Sequence, residues 1–395
     1  MSRIRVVFSI GALHGGGSEH QIIGALRHID RDQFEPYLYV VYRSGPLLSR
    51  VPGDVLIAAF EERDSRAPTT IPGGMHRRRV EDMTRYLQEV RADVCYDRTF
   101  LMTLIAADAS QRLGIPNVST IVTDPSAGFA PVAGRFQWLK KRSLRRLYSK
   151  SAMVLAVSNG AARSAESFYG LEPHVVVTHY NGVDVAAIRS AATNPIDSQW
   201  WNAAGSRKKT VVRIVSAGRL NHQKGFHLLI DAVAKLESES ADTEYRLALL
   251  GEGHHRLQLQ NQIDAVGLTE LVCLSGFQDN AAAWYRSADV FVLPSLVEGM
   301  PNALMEAMAC GTPVVSSRCP HGPEEILADG KFGLLCEPGS VTALTDAIRD
   351  INRNPLAAKE RAAAAKSRVE SKFAQRVAVR SLEDLFSMVV QRKDS

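Results

Sequence analysis

Cysteine is scarce in this chain. Five thiols in 395 residues (Cys95, Cys273, Cys310, Cys319 and Cys336) form an odd set without the close spacing of a metal site. That argues against a disulfide scaffold or structural zinc, and each thiol reads as a small buried or idle group in a reducing, cytoplasmic setting. Long apolar runs are missing too. The longest weakly charged stretch, 115–134, is broken by Pro116, Pro125, Pro131 and Asp124, so no transmembrane helix is expected. The N-terminus, Met1-Ser2-Arg3-Ile4-Arg5, runs straight into a strand pattern and reads as having no signal peptide. Only one D-x-D occurs, Asp30-Arg31-Asp32, after a helix and away from any strand end. It reads as a solvated turn, and no metal site is expected. The net charge of +5 is too mild to imply nucleic acid, and no nucleic-acid module is visible. One segment lacks acids altogether. Between 135 and 150 stand Arg135, Lys140, Lys141, Arg142, Arg145, Arg146 and Lys150, interleaved with Phe136, Trp138, Leu139, Leu144, Leu147 and Tyr148. This is a helix with two open readings: a solvated polar face over a core-facing side, or a surface that meets anionic lipid.

The length exceeds one ordinary core and suits two domains. Strand-like and helix-like segments alternate throughout, the pattern of βα units around parallel sheets. Strands are expected at 5–10, 37–42, 55–58, 94–96, 117–122, 153–157 and 175–178, with helical patterns at 18–28, 78–90 and 102–113. A second series is expected at 211–216, 245–250, 271–274, 290–293, 313–315 and 333–335. Residues 191–210 lack periodicity and read as a linker between a first domain, 1–190, and a second, 211–372. The tail 373–395 is an amphipathic helix without a strand of its own. The fold class is α/β: two doubly wound Rossmann-like domains, whose ligands bind beyond the carboxyl ends of the strands, in a cleft between the two.

The most informative motif is the run 295–308, which follows the apolar strand 290–293. Glu298 lies in the loop. Glu306 lies about one turn into the helix that Pro301-Asn302 opens, with Asn302 the expected N-cap and Gly311 the expected stop. The amides of Gly299, Met300, Pro301's successor Asn302 and Ala303 surround that helix start, where free N–H groups and the helix dipole favour an anion such as a diphosphate. A carboxylate beside it suits a sugar or ribose diol, since it accepts two hydroxyl hydrogen bonds. Phosphate and sugar bound together suggest a nucleotide sugar. After the strand 211–216, Gly218-Arg219 and Lys224-Gly225 put two cations five residues apart on a glycine-punctuated loop, placed to clamp a diphosphate. Gly15, Gly16 and Gly17 open the first helix without the dinucleotide glycine spacing, and no acid ends the second strand, which argues against NAD. A tight turn or close approach to a phosphate remain the two readings there.

Glu298 and Glu306, in an E-G-x-P-x-x-x-x-E-A-M-A-x-G-x-P-V-V frame, resemble the signature of the family 4 retaining glycosyltransferases. The resemblance extends over nearly the whole chain: Gly16-Gly17 in a G-G-x-E segment, Gly218-Arg219-Leu220 with Lys224, Leu250-Gly251-Glu252-Gly253, Ser275-Gly276-Phe277, Gly322-Pro323-Glu324-Glu325, and Tyr180-Asn181-Gly182-Val183-Asp184. It implies the GT-B fold, with the final helix crossing back to the first domain. It implies Arg219 and Lys224 on the donor phosphates, Glu306 on the ribose, Glu298 on the donor sugar, and Gly251 and Phe277 near the nucleotide. Where the family often carries a first-domain histidine, this chain has Thr123-Asp124, so Asp124 is the candidate for that polar contact, with His14 an alternative. The implied reaction moves a sugar with retention from a nucleotide sugar, a UDP-sugar by preference, to a hydroxyl acceptor. The Gly322 motif is most similar to members acting on surface polysaccharide or lipid-linked glycan. No cofactor or metal is expected, and a peripheral position on the cytoplasmic membrane face through 135–150 fits such an acceptor. Two rivals stay open: a non-hydrolysing nucleotide-sugar epimerase of the same fold, and a non-catalytic nucleotide-sugar-binding module.

Overall fold

A computed structural model describes residues 3–67, 69–204 and 210–394. The chain divides into two compact units. One runs from the N-terminus to Gly182 and takes up the stretch from Gln375 onward; the other is Val183–Ala374.

The first unit is built on seven parallel strands: β1 (Ile4–Ile10), β2 (Phe34–Val40), β3 (Leu56–Ala59), β4 (Val94–Arg98), β5 (Asn117–Ile121), β6 (Met153–Ala156) and β7 (Val176–Thr178). Their order is β3-β2-β1-β4-β5-β6-β7. The second unit has β8 (Thr210–Ala217), β9 (Thr243–Leu250), β10 (Val272–Gly276), β11 (Val290–Leu293), β12 (Val314–Ser317) and β13 (Leu334–Cys336), in the order β10-β9-β8-β11-β12-β13. Every strand expected from the sequence is present, with ends shifted by a few residues. The reason they were legible is burial on both faces: β11 is a continuous buried apolar run and β1 is buried from Val6 to Ile10, as helices on both sides of a parallel sheet demand. In each sheet the strand order reverses beside the first strand, between β1 and β4 and between β8 and β11. Those are the switch points, where loops diverge and ligands are accommodated.

The last helix, Gln375–Asp394, is a core element of the first unit. Phe386 is fully buried, edge-on to Phe8 and Tyr96 at centroid distances of 5.9 and 5.6 Å. Burying one such ring stabilises by roughly 1.5–3 kcal/mol.

Two local readings differ from the sequence pattern, and a third region adds a helix to it. The first unit ends at Gly182, because the helix Val185–Ala191 belongs to the second. Within 191–210, a short helix, Gln199–Asn202, buries Trp201 completely; its indole donates to Ser287 Oγ at 2.8 Å. Arg246 holds the same segment through the carbonyls of Trp200, Ala203 and Ala204, while 205–209 lie outside the described residues. One aromatic finding a pocket overrides a run of small polar residues. The proline-broken stretch 115–134 contains a helix, Pro125–Ala133, since Pro125 takes the first helical position, where no N–H is needed.

Candidate functional site

The site is built at the switch point of the second unit. The loop after β8 carries Gly218, Arg219 and Lys224; the loop after β11 carries Ser295, Glu298 and Gly299. Glycine lets these loops touch. Gly225 has φ +66°, and a Cβ there would lie 2.1 Å from the carbonyl oxygen of Pro294 at the end of β11. Gly251, φ +137°, lies against the Gly218 carbonyl, where a Cβ would come within 2.0 Å. Any side chain at either position would force the loops apart.

This contact brings together residues 74 apart in sequence. Lys224 Nζ donates to Glu298 Oε1 at 2.6 Å, and Ser295 Oγ donates to the same oxygen at 2.7 Å. Glu298 is buried, at 8% exposure. Its backbone is fixed against the loop after β12: Glu298 N–H donates to Pro320 O at 2.8 Å and His321 N–H to Glu298 O at 3.1 Å. Glu298 Oε2 has no hydrogen-bond partner among the described residues, which leaves one carboxylate oxygen to accept from a hydroxyl. Lys224 and Glu298 neutralise each other. Arg219 is exposed, and its guanidinium has no ion-pair partner among the described residues, so it is the site's uncompensated charge.

The helix Asn302–Ala309 starts beside this loop. Asn302 is its first residue and Pro301 its cap, without a side-chain capping bond; the sequence pattern expects Asn302 one place earlier in role. Gly311, φ +75°, does end the helix, with its N–H on Met308 O at 2.9 Å. Glu306 sits in the second turn. Burial pushes its carboxyl up to about 7, only partly opposed by a long 3.5 Å contact from the Tyr285 hydroxyl. Burial favours the neutral form of this carboxyl, and hydroxyl donors favour the ionised one. Gly276 ends β10 and Phe277 follows it; Gly251 N–H donates to Gly276 O at 2.7 Å, and Phe277 is 61% exposed. The sequence assigns no role to Ser295, which only opens the 295–308 run, or to Tyr285, which lies outside every motif; the fold aims them at the two acids.

In the first unit, Gly16 caps the helix Gly17–His28 with no side-chain bond, and the Glu19 carboxylate lies over that start, 2.3 Å from where a Gly16 Cβ would be. His14 Nε2 lies 3.4 Å from Ser44 Oγ. Asp124 caps the helix Pro125–Ala133: its Oδ1 accepts from Ser126 N at 2.9 Å and Ser126 Oγ at 2.7 Å, and also from Ser164 Oγ. Oδ1 therefore holds that helix start, a structural role that the sequence pattern does not assign. The D-x-D is a turn, with Asp30 accepting from Asp32 N and from Gln33 Nε2 at 2.8 and 2.7 Å. The cavity of about 490 Å³ between Arg63, Arg66, Arg85 and Arg112 has its guanidiniums paired with carboxylates, among them Asp82, Asp64 and Asp108.

Residues 199–368 match the family described as glycosyl transferases group 1, and residues 15–187 match glycosyltransferase family 4. The chain belongs to these glycosyltransferases. The glycosyltransferase matches span both switch points, and Arg219, Lys224, Glu298 and Glu306 all fall within the group 1 region. The D-inositol 3-phosphate glycosyltransferase of Pseudarthrobacter chlorophenolicus is 26% identical over 328 residues, 81% of this chain and 77% of that protein. The N-acetylgalactosamine-N,N'-diacetylbacillosaminyl-diphospho-undecaprenol 4-alpha-N-acetylgalactosaminyltransferase of Campylobacter jejuni is 30% identical over 203 residues, 51% of each chain. Among solved structures, Anabaena HepE in complex with UDP and glucose superimposes with a TM-score of 0.78 at 20% identity, over 98% of this chain and 100% of that one. The fold of this glycosyltransferase is GT-B.

Proposed function

We propose that this glycosyltransferase moves a sugar from a UDP-sugar, with retention of the anomeric configuration, to a hydroxyl of a lipid-linked glycan. The Lys224–Glu298–Ser295 cluster beside an unpaired Arg219 carries the reading, because it combines a positioned carboxylate for sugar hydroxyls with a cation for phosphate. Arg219 and Lys224 stabilise the charge that develops on the leaving diphosphate. Glu298 holds the donor sugar through its uncommitted oxygen, and Glu306 holds the ribose diol. The leaving phosphate accepts the acceptor's proton on the same face, so no separate base is required. Positive charge from the two side chains and from the helix start at Asn302 replaces a divalent metal in this scheme. The HepE complex supports uridine diphosphate as the carrier, and the Campylobacter relative, named for a diphospho-undecaprenol acceptor, supports the lipid-linked class.

The same acceptor class calls for a membrane contact, and the helix Gln137–Tyr148 supplies one in this proposal. Leu144, Leu147 and Tyr148 are buried, while Phe136, Trp138 and Leu139 stay exposed among Arg135, Arg142, Arg145 and Arg146. An interfacial surface combines those two features. A UDP-release screen across UDP-sugars, with free and lipid-linked acceptors, tests the whole reading, and the anomeric coupling of the product tests retention. Release stimulated only by lipid-linked acceptors, with an unchanged anomeric configuration, is expected. Epimerised sugar nucleotide in the absence of acceptor would replace this reading with the epimerase.

A further inference from the structure

The helices Pro125–Ala133, Gln137–Tyr148 and Asn159–Tyr169 border a pocket of about 250 Å³, apart from the site described above. Its lining combines the aromatic Phe129, Trp138 and Phe168 with Ala130 and the polar Ser126, Gln137 and Lys141. Phe129 is buried, with its ring 5.4 Å from that of Phe168. Lys141 Nζ stands 3.9 Å above the Phe168 ring, so a cation stands against the aromatic part of the lining. Nearby in the chain, four large apolar residues are exposed: Val132 at 58%, Phe136 at 60%, Trp138 at 70% and Leu139 at 47%. Phe136 enters its helix at φ +62°, a conformation that costs a bulky residue energy, yet its ring gains no burial in return. From 125 to 165 the sequence has eight cations and no acid. Pockets for whole small ligands start near 300 Å³. This one has room for part of a molecule, and its surroundings specify the rest: an apolar continuation and an anionic head.

We propose that this pocket takes the hydrocarbon chain of a single anionic bilayer lipid, with the head group's phosphate beside Lys141. The proposal rests on the membrane reading above and sharpens it, from adsorption on a charged surface to a seat for one lipid. The test uses dihexanoyl phosphatidylglycerol below its micellar concentration, titrated calorimetrically into the full-length protein, beside co-sedimentation with phosphatidylglycerol vesicles. Saturable one-to-one binding is expected, with dihexanoyl phosphatidylcholine at least tenfold weaker. Ala130 lines the pocket and is exposed, so Ala130→Phe fills the space without disturbing a core. That variant should lose at least tenfold in affinity for the monomeric lipid while still co-sedimenting with vesicles. Lys141→Gln should lose the preference for the anionic head. No saturable binding by the wild type, or unchanged binding by Ala130→Phe, overturns the pocket assignment. Vesicle binding in that case leaves the membrane reading standing, whereas its absence removes both.

Discussion

Lys224 and Glu298 cancel each other's charge, and this makes Arg219 and Lys224 different in kind. Arg219 is exposed and unpaired among the described residues, so Arg219→Ala should leave the fold intact and lower turnover at least ~100-fold, as losing one preorganised charge contact does. Lys224→Ala should lower turnover as much, but it also strands a buried carboxylate. Its melting temperature should therefore fall and that of Arg219→Ala should not. Near-normal rates in both variants would remove the phosphate clamp. Glu306 adds a pH signature. Burial favours its neutral form, with the carboxyl at about 7, while diol hydroxyls donate to the ionised form. Binding of UDP must then release a proton below that pH, and affinity must rise as pH rises toward about 7 and level off above it. In Glu306→Gln the slope should shrink to the part that titration of the UDP phosphate itself contributes. Calorimetry in two buffers of different ionisation enthalpy reads the proton directly; uptake instead of release would contradict the diol assignment.

At the scale of elements, close contacts between loops matter more than any one hydrogen bond. Gly251 is the sharpest case, because its φ of +137° and the 2.0 Å approach of the Gly218 carbonyl leave no space for a methyl group. Gly251→Ala should cost about 1–3 kcal/mol, the range for overpacking a filled site. Weakened UDP binding should accompany it, since the loop that moves holds Arg219. A thermal melt with and without UDP separates the two effects, and an unchanged melt would mean that the β8 and β9 loops are more pliable than their packing indicates. These contacts also explain which parts of the site were legible. Arg219, Lys224, Glu298 and Glu306 stand in motifs with glycine and proline punctuation at strand ends, a pattern that local chemistry imposes on the sequence. Ser295 opens the 295–308 run and Tyr285 stands outside any motif, and neither announces a role, because a serine at the end of a strand and a tyrosine in a helix suit many environments. Asp124 carries a second role that no motif announces: its Oδ1 holds the start of the helix that Pro125 begins.

At the scale of the whole molecule, two predictions follow from where charge is carried. If side-chain cations and the helix start stabilise the leaving group, turnover should survive excess EDTA; complete loss restored by added magnesium or manganese would contradict it. On an anionic bilayer each nearby Lys or Arg contributes about 1 kcal/mol at modest salt. The protein should therefore co-sediment with anionic vesicles at low salt and be released at high salt. Changing Lys140, Lys141, Arg145 and Arg146 together to Gln should weaken this and leave UDP binding intact. Equal partition onto neutral and anionic vesicles would return Gln137–Tyr148 to an ordinary solvated helix.

The thirteen strands, their parallel class and the alternation with helices were determined by the sequence alone, because a doubly covered sheet leaves unbroken apolar runs that local periodicity exposes. Tertiary structure decided the pairings that no local pattern carries. Phe386 reaches Phe8 from the far end of the chain, Trp201 turns part of a featureless linker into a buried anchor, and Val185–Ala191 joins the second unit. Lys224 meets Glu298 for the same reason: β8 pairs with β11, three strands later, and sheet order places their loops side by side. Strand propensity depends on a few neighbouring residues, whereas strand order depends on the burial of all the helices at once, and only the folded chain resolves that competition.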